Sequence, residues 1–176
     1  MNRKSKLTIA VATAGLAVLV AAAVYAQDKY SLKSPDGIAF SDFRGYEDWS
    51  AVSSARTDVL KVIVANPTMI HAYKAGVPGN GQPFPDGSMI VKLQWKPKKS
   101  AEAQFDVEVP DVFTQAFVME KDSKRFPKSG GWGYALFNYD AASDKFTADP
   151  SPADCGNSCH TAVKAKDYIF HPYEKR

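Results

Sequence analysis

Two cysteines and a histidine fall within six residues: Cys155, then Gly156, Asn157 and Ser158, then Cys159 and His160. They are the only two cysteines of the chain. Such a group permits three kinds of chemistry. The thiols can close a small disulfide in an oxidising compartment. They can contribute to a zinc shell, although a structural zinc takes about four ligands and this cluster offers three. They can also add across the vinyl groups of a haem as thioethers. The histidine that follows is then held under the ring, where its imidazole binds iron as the proximal ligand. The third chemistry fits best, because C-x-x-C-H is the usual attachment pattern. Here three residues separate the cysteines, so the expectation is a bulged loop, which Gly156 and Asn157 tolerate.

The elements that must position this group can be read from the remaining chain. Residues 58–65 are β-branched and apolar and predict a largely buried strand. Asn66 and Pro67 predict the cap and first turn of a helix through Met69, Ile70 and Tyr73 that stops near Gly76. His71 lies on that helix as a surface or packing residue. After a Gly- and Pro-dense loop, residues 88–95 predict a second strand. Alternation puts Met89, Val91, Leu93 and Trp95 on one face and Ser88, Ile90, Lys92 and Gln94 on the other. Residues 105–109, 112–119 and 131–139 predict three more strands, with 120–127 a charged connection. The glycines of the last strand permit close approach by a ring or another backbone. Residues 146–153 lead to the cysteines, 162–166 predict a short helix, and Tyr168, Ile169 and Phe170 an apolar anchor. Residues 46–49 predict a short helix with Trp49 inward, and 27–41 a polar N-terminal arm. The class is α+β, mainly β, with the cysteine–histidine site near the C-terminus.

Residues 1–26 have the form of a signal peptide. Arg3, Lys4 and Lys6 precede an apolar run over 7–24, and Val24, Tyr25 and Ala26 fit a small-residue cleavage site. An uncleaved anchor is the alternative, since the run is nearly long enough to span a bilayer. Either way the domain, residues 27–176, is expected outside the cytoplasm, in the periplasm. Three of the 22 basic residues lie in this leader, which leaves bases and acids equal in number. That balance, with no basic patch interleaved by aromatics, argues against nucleic acid as a partner. The domain's about 150 residues suffice for one real core.

Several segments, in order, resemble the cytochrome P-460 family, which includes the cytochromes c′-beta. They are Tyr46-Glu47-Asp48-Trp49, Val62-Ile63-Val64-Ala65-Asn66-Pro67, Phe84-Pro85-Asp86-Gly87-Ser88-Met89-Ile90-Val91-Lys92, Ser123-Lys124-Arg125-Phe126 and Gly131-Trp132-Gly133-Tyr134-Ala135-Leu136-Phe137, followed by the cysteine–histidine site. The resemblance implies a curved antiparallel sheet with packed helices, usually a homodimer. It also implies one covalently bound, pentacoordinate haem c per chain, held by Cys155, Cys159 and His160. The best-known members have two residues between the cysteines, and this chain departs from them there. In the hydroxylamine-oxidising members a lysine after an Asp-Gly-x-x-x-Val stretch bonds to a haem meso carbon, and Lys92 occupies that place after Asp86 and Gly87. Sequence physics alone leaves Lys92 either on a solvent face or buried, where an unpaired ammonium is costly.

The reaction expected from the resemblance is oxidation of hydroxylamine to nitric oxide or nitrous oxide, with Lys92 cross-linked and a redox partner cytochrome taking the electrons. The alternative is a cytochrome c′-beta-like protein that binds nitric oxide without turnover. A third reading is a simple electron carrier, with Met69, Met89 or Met119 as sixth ligand; methionine on apolar stripes is normally core filling. Turnover would need a base near the open face of the iron, for which Asp58, Asp106, Glu108 and Glu120 are candidates. Phe105, Phe113 or Phe117 on that face would favour gas binding. After cleavage of the leader no membrane association is expected.

Overall fold

The computed structural model describes residues 28–174, with the side chains of Pro152 and Cys155 outside that description. The expected signal peptide, residues 1–26, lies outside the described residues. Six strands form one open antiparallel sheet in chain order. They are β1 (Ser50–Arg56), β2 (Leu60–Ala65), β3 (Met89–Lys99), β4 (Glu108–Lys121), β5 (Trp132–Asp140) and β6 (Lys145–Ala148). Two helices accompany them, α1 (Pro67–Lys74) and α2 (Pro152–Thr161). This is the expected α+β, mainly β class.

Pairing fixes which residues share a face. Ile63, Lys92, Phe117 and Leu136 form one row across β2 to β5, and Ala65, Ile90, Met119 and Tyr134 form the next. Because side chains alternate along each strand, both rows point to one face. That face packs under α1 and the C-terminal segment, with Met69, Ile70, Tyr73, Trp132 and Ile169 in its core. The opposite face carries Val64, Val91, Val118, Ala135 and Phe137 and is covered by the N-terminal residues Ile38, Phe40, Phe43 and Tyr46.

The start of α1 follows from its sequence. Asn66 Oδ1 accepts from the Met69 amide at 3.0 Å and from the Met89 amide at 3.1 Å, so one side chain caps the helix and ties it to β3. Pro67 occupies the first turn, where no amide hydrogen is needed.

Several expectations are corrected. β1 pairs with β2 where no strand was expected. Residues 105–109 and 112–119 are not two strands: β4 runs unbroken through Pro110, and Phe105 lies outside it, 80% exposed. The bare edge explains how the proline is tolerated. β5 joins β4 only from Gln115 onward, and β2 leaves β3 at Trp95. Pro97 and Pro110 therefore oppose each other in a two-stranded arm with no further strand to bond. The connection expected from residue 120 begins later, since β4 extends to Lys121. The 27–41 arm is not merely polar; Ile38 and Phe40 are fully buried. Finally, β6 and the start of α2 make up much of the stretch that leads to the cysteines, and 162–166, expected as a short helix, holds only a 3-10 turn, Lys164–Lys166.

Candidate functional site

The cysteine–histidine segment is a helix, not a bulged loop. α2 begins with Pro152 at its first turn and carries positions 155, 159 and 160 without interruption. Positions 155 and 159 are four apart, so they lie one turn above the other on a helix face. Both two and three intervening residues keep the two positions on one face of a helix. Gly156 lets α2 lie directly on β5, because a Cβ there would sit 2.5 Å from Tyr134 Cγ. The described thiol, Cys159, is free and exposed.

His160 ends the same helix, and its Nδ1 lies 2.6 Å from the carbonyl oxygen of Tyr168. A carbonyl only accepts, so Nδ1 carries the proton and Nε2 keeps its lone pair. Tyr134 and Phe170 flank the imidazole, with ring centres 5.2 Å and 4.9 Å away. Burial holds its pKa below the ordinary value, against the opposing pull of the Tyr168 bond, and the Lys92 charge adds to the lowering. A neutral imidazole with one free nitrogen is the form that binds a metal.

His160 and Cys159 open onto a cavity of about 350 Å³ between α2 and the sheet, within the range of ligand pockets. Ile63, Ile90, Phe117 and Leu136 give it apolar walls. Lys92 projects into it from the middle of β3, so it is not on a solvent face. Its Nζ lies 3.9 Å from the Phe117 ring centre. Among the described residues it has no ion pair, and its pKa is lowered first by burial and then by Lys61, with Cys159 acting in the opposite sense.

The structure separates the other candidates. Met119 lines the cavity, Met69 points from α1 into the core, and Met89 packs on the far face. Of the three phenylalanines, only Phe117 reaches the cavity; Phe113 is on the far face against Trp95. None of the four expected acids does. Asp58 is exposed in a turn, Asp106 pairs with Lys99, Glu108 with Arg56, and Glu120 with Arg125 away from the site. His71 is exposed. The carboxylate that lines the cavity is Asp149, just after β6. Its Oδ1 accepts from the Ser151 amide at 2.9 Å, and Asn138 Nδ2 approaches Oδ2 at 3.4 Å. His171 is a further lining group, with Nδ1 3.3 Å from Ser53 Oγ. Sequence reasoning missed both, because each reaches the cavity through a long-range pairing.

The residues present suit a haem. A flat apolar ring needs apolar walls, which the cavity has. The iron needs a neutral imidazole with a fixed tautomer, which His160 supplies. A thiol stands on the residue before it. Among the described residues no group of three or more His, Cys, Asp or Glu side chains converges to hold a metal ion.

This chain belongs to the Cytochrome P460 family, whose model matches residues 43–171. The match spans every strand from β1 to β6, both helices and the Tyr168 turn. Membership identifies a haem-binding cytochrome. No curated protein matches the chain.

Proposed function

We propose that this protein is an exported mono-haem c-type cytochrome that oxidises hydroxylamine to nitric oxide or nitrous oxide. One observation carries the reading. Lys92, a desolvated amine with no acid partner among the described residues, shares a cavity with His160 and Cys159. Cys155 and Cys159 would hold the ring as thioethers, and Nε2 of His160 would bind the iron. The haem supplies the site that binds the substrate nitrogen and takes up its electrons.

The side chains divide the remaining work. Lowering the pKa of Lys92 enlarges its share of neutral amine, the nucleophilic form. Bonding that nitrogen to a ring carbon would replace one N–H and one C–H, releasing two protons and an electron pair, so it would require an external two-electron oxidant of the peroxide class. Asp149 is placed to accept the protons that hydroxylamine gives up on oxidation; with one oxygen tied to the Ser151 amide, the other is the freer acceptor. Phe117 and Leu136 exclude water around it. Electrons would pass to a partner cytochrome. A second copy of the chain belongs to this reading, and the two-stranded arm and the connection at its tip offer Val112 and Phe105 with Val107 as exposed apolar groups. No described helix is long and apolar enough to cross a membrane.

The apolar walls favour a second reading, reversible nitric oxide binding without turnover. The absorption spectrum of the dithionite-reduced, haem-loaded protein tests the two. A strongly red-shifted Soret band is expected with the Lys92 bond; an ordinary high-spin c-type spectrum leaves the gas-binding reading in its place.

A further inference from the structure

A buried ion pair lies on the same sheet face, beyond the cavity. Lys121 Nζ is 2.8 Å from Asp167 Oδ1 and 2.9 Å from Oδ2. The side chains are only 6% and 11% exposed. Both charges are further satisfied: Lys121 donates to the Gly130 carbonyl at 2.8 Å, and Asp167 Oδ2 accepts from the Phe84 amide at 2.7 Å. A buried pair of this kind gives little net stability over an apolar pair, yet removing one partner is strongly disruptive. Its value is therefore in fixing a geometry.

The geometry it fixes is unusual. Asp167 and Tyr168 are consecutive non-glycine residues in the left-handed region, with φ of 47° and 64°. Such residues are strained, and the pair persists only because its surroundings hold it. Asp167 is held through its carboxylate. The Tyr168 ring is held against Gly130, where a Cβ would come within 2.2 Å of it. Ile169 is buried just beyond. The carbonyl this turn presents is that of Tyr168, which accepts the His160 Nδ1 proton.

We propose that Lys121 and Asp167 are positioning residues for the iron ligand. They hold the turn, the turn aims the Tyr168 carbonyl, and the carbonyl sets the orientation and basicity of His160. A firm Nδ1–H bond makes Nε2 a stronger donor and favours the oxidised metal. The inference rests on the reading of His160 as proximal ligand.

The test uses the haem-loaded protein and two readouts, the iron–histidine stretching band of the ferrous form by resonance Raman and the reduction potential. Asp167→Ala is expected to lower the band frequency and raise the potential. Asp167→Asn, which keeps the side-chain shape and so folds where alanine fails, is expected to give a smaller shift of the same sign. Lys121→Arg restores values close to the parent. Ile38→Val, a cavity on the opposite face, lowers thermal stability but leaves band and potential in place. Parent values in both Asp167 variants overturn the proposal. An iron–histidine band that survives in His160→Ala removes the ligand reading itself, and the positioning role with it.

Discussion

The Lys92 ammonium lies 3.9 Å from the centre of the Phe117 ring, its neighbour across β3 and β4. The aromatic face offsets part of the desolvation of the charge, an interaction worth about 0.5–2 kcal/mol. No described acid does so. An amine left this way is poised for chemistry more than for stability. Lys92→Leu is therefore expected to keep its haem and its fold while losing the red-shifted Soret band and turnover together. Parallel spectra and hydroxylamine-oxidation assays check it; unchanged turnover in the variant would remove Lys92 from the mechanism.

Asp149 is the carboxylate of the cavity, so it should carry the proton transfer. Asp149→Asn keeps an oxygen to accept from the Ser151 amide, gives up the acceptor that Asn138 Nδ2 approaches, and removes the basicity. A fall in kcat of about 10²–10⁴-fold is expected, the usual contribution of a general base, with the absorption spectrum unchanged. Steady-state rates against hydroxylamine decide it. An undiminished kcat would move the base elsewhere, with His171 the next group on the wall.

The parts legible in the sequence were those with a local physical signature. β3 showed its two faces through strict alternation, and Asn66 with Pro67 marked the start of α1 by cap chemistry alone. The cysteine–histidine spacing was visible, but its conformation was not. Gly156 and Asn157 disfavour a helix intrinsically, and packing on Tyr134 overrides that preference; Pro152 at the first turn was the available signal. Asp149 reaches the cavity only because β6, four residues long, returns along β5, a pairing no local pattern announces. Lys121 and Asp167 are 46 residues apart and meet through the tertiary fold.

Acid should destabilise the site. The pKa values of His160 and His171 are both held below the ordinary 6.5, chiefly by burial, with Lys92 opposing protonation of each. The unfolded chain therefore takes up protons first as pH falls through that value. Stability is fully present above it, declines as pH drops toward the folded pKa values, and levels off below them. Thermal midpoints between about pH 7.5 and about pH 5 are expected to fall, and His171→Gln to flatten the fall. A profile identical to the parent's would mean that His171 is no more buried than a surface histidine.

Gly156→Ala sets two effects against each other. In a free helix the change would stabilise by about 1 kcal/mol, because glycine is the poorer helix former. Here the new Cβ would lie 2.5 Å from Tyr134 Cγ and 2.7 Å from its Cβ, atoms near the strand backbone that cannot swing away. Overpacking of this kind costs about 1–3 kcal/mol, so steric conflict is expected to win. The helix would be pushed off β5 and carry His160 with it, lowering both thermal stability and the yield of haem-loaded protein. Tyr134→Ala in the same chain removes the ring and should recover part of the Gly156→Ala loss. A single variant more stable than the parent would show that α2 sits further from the sheet than these distances state.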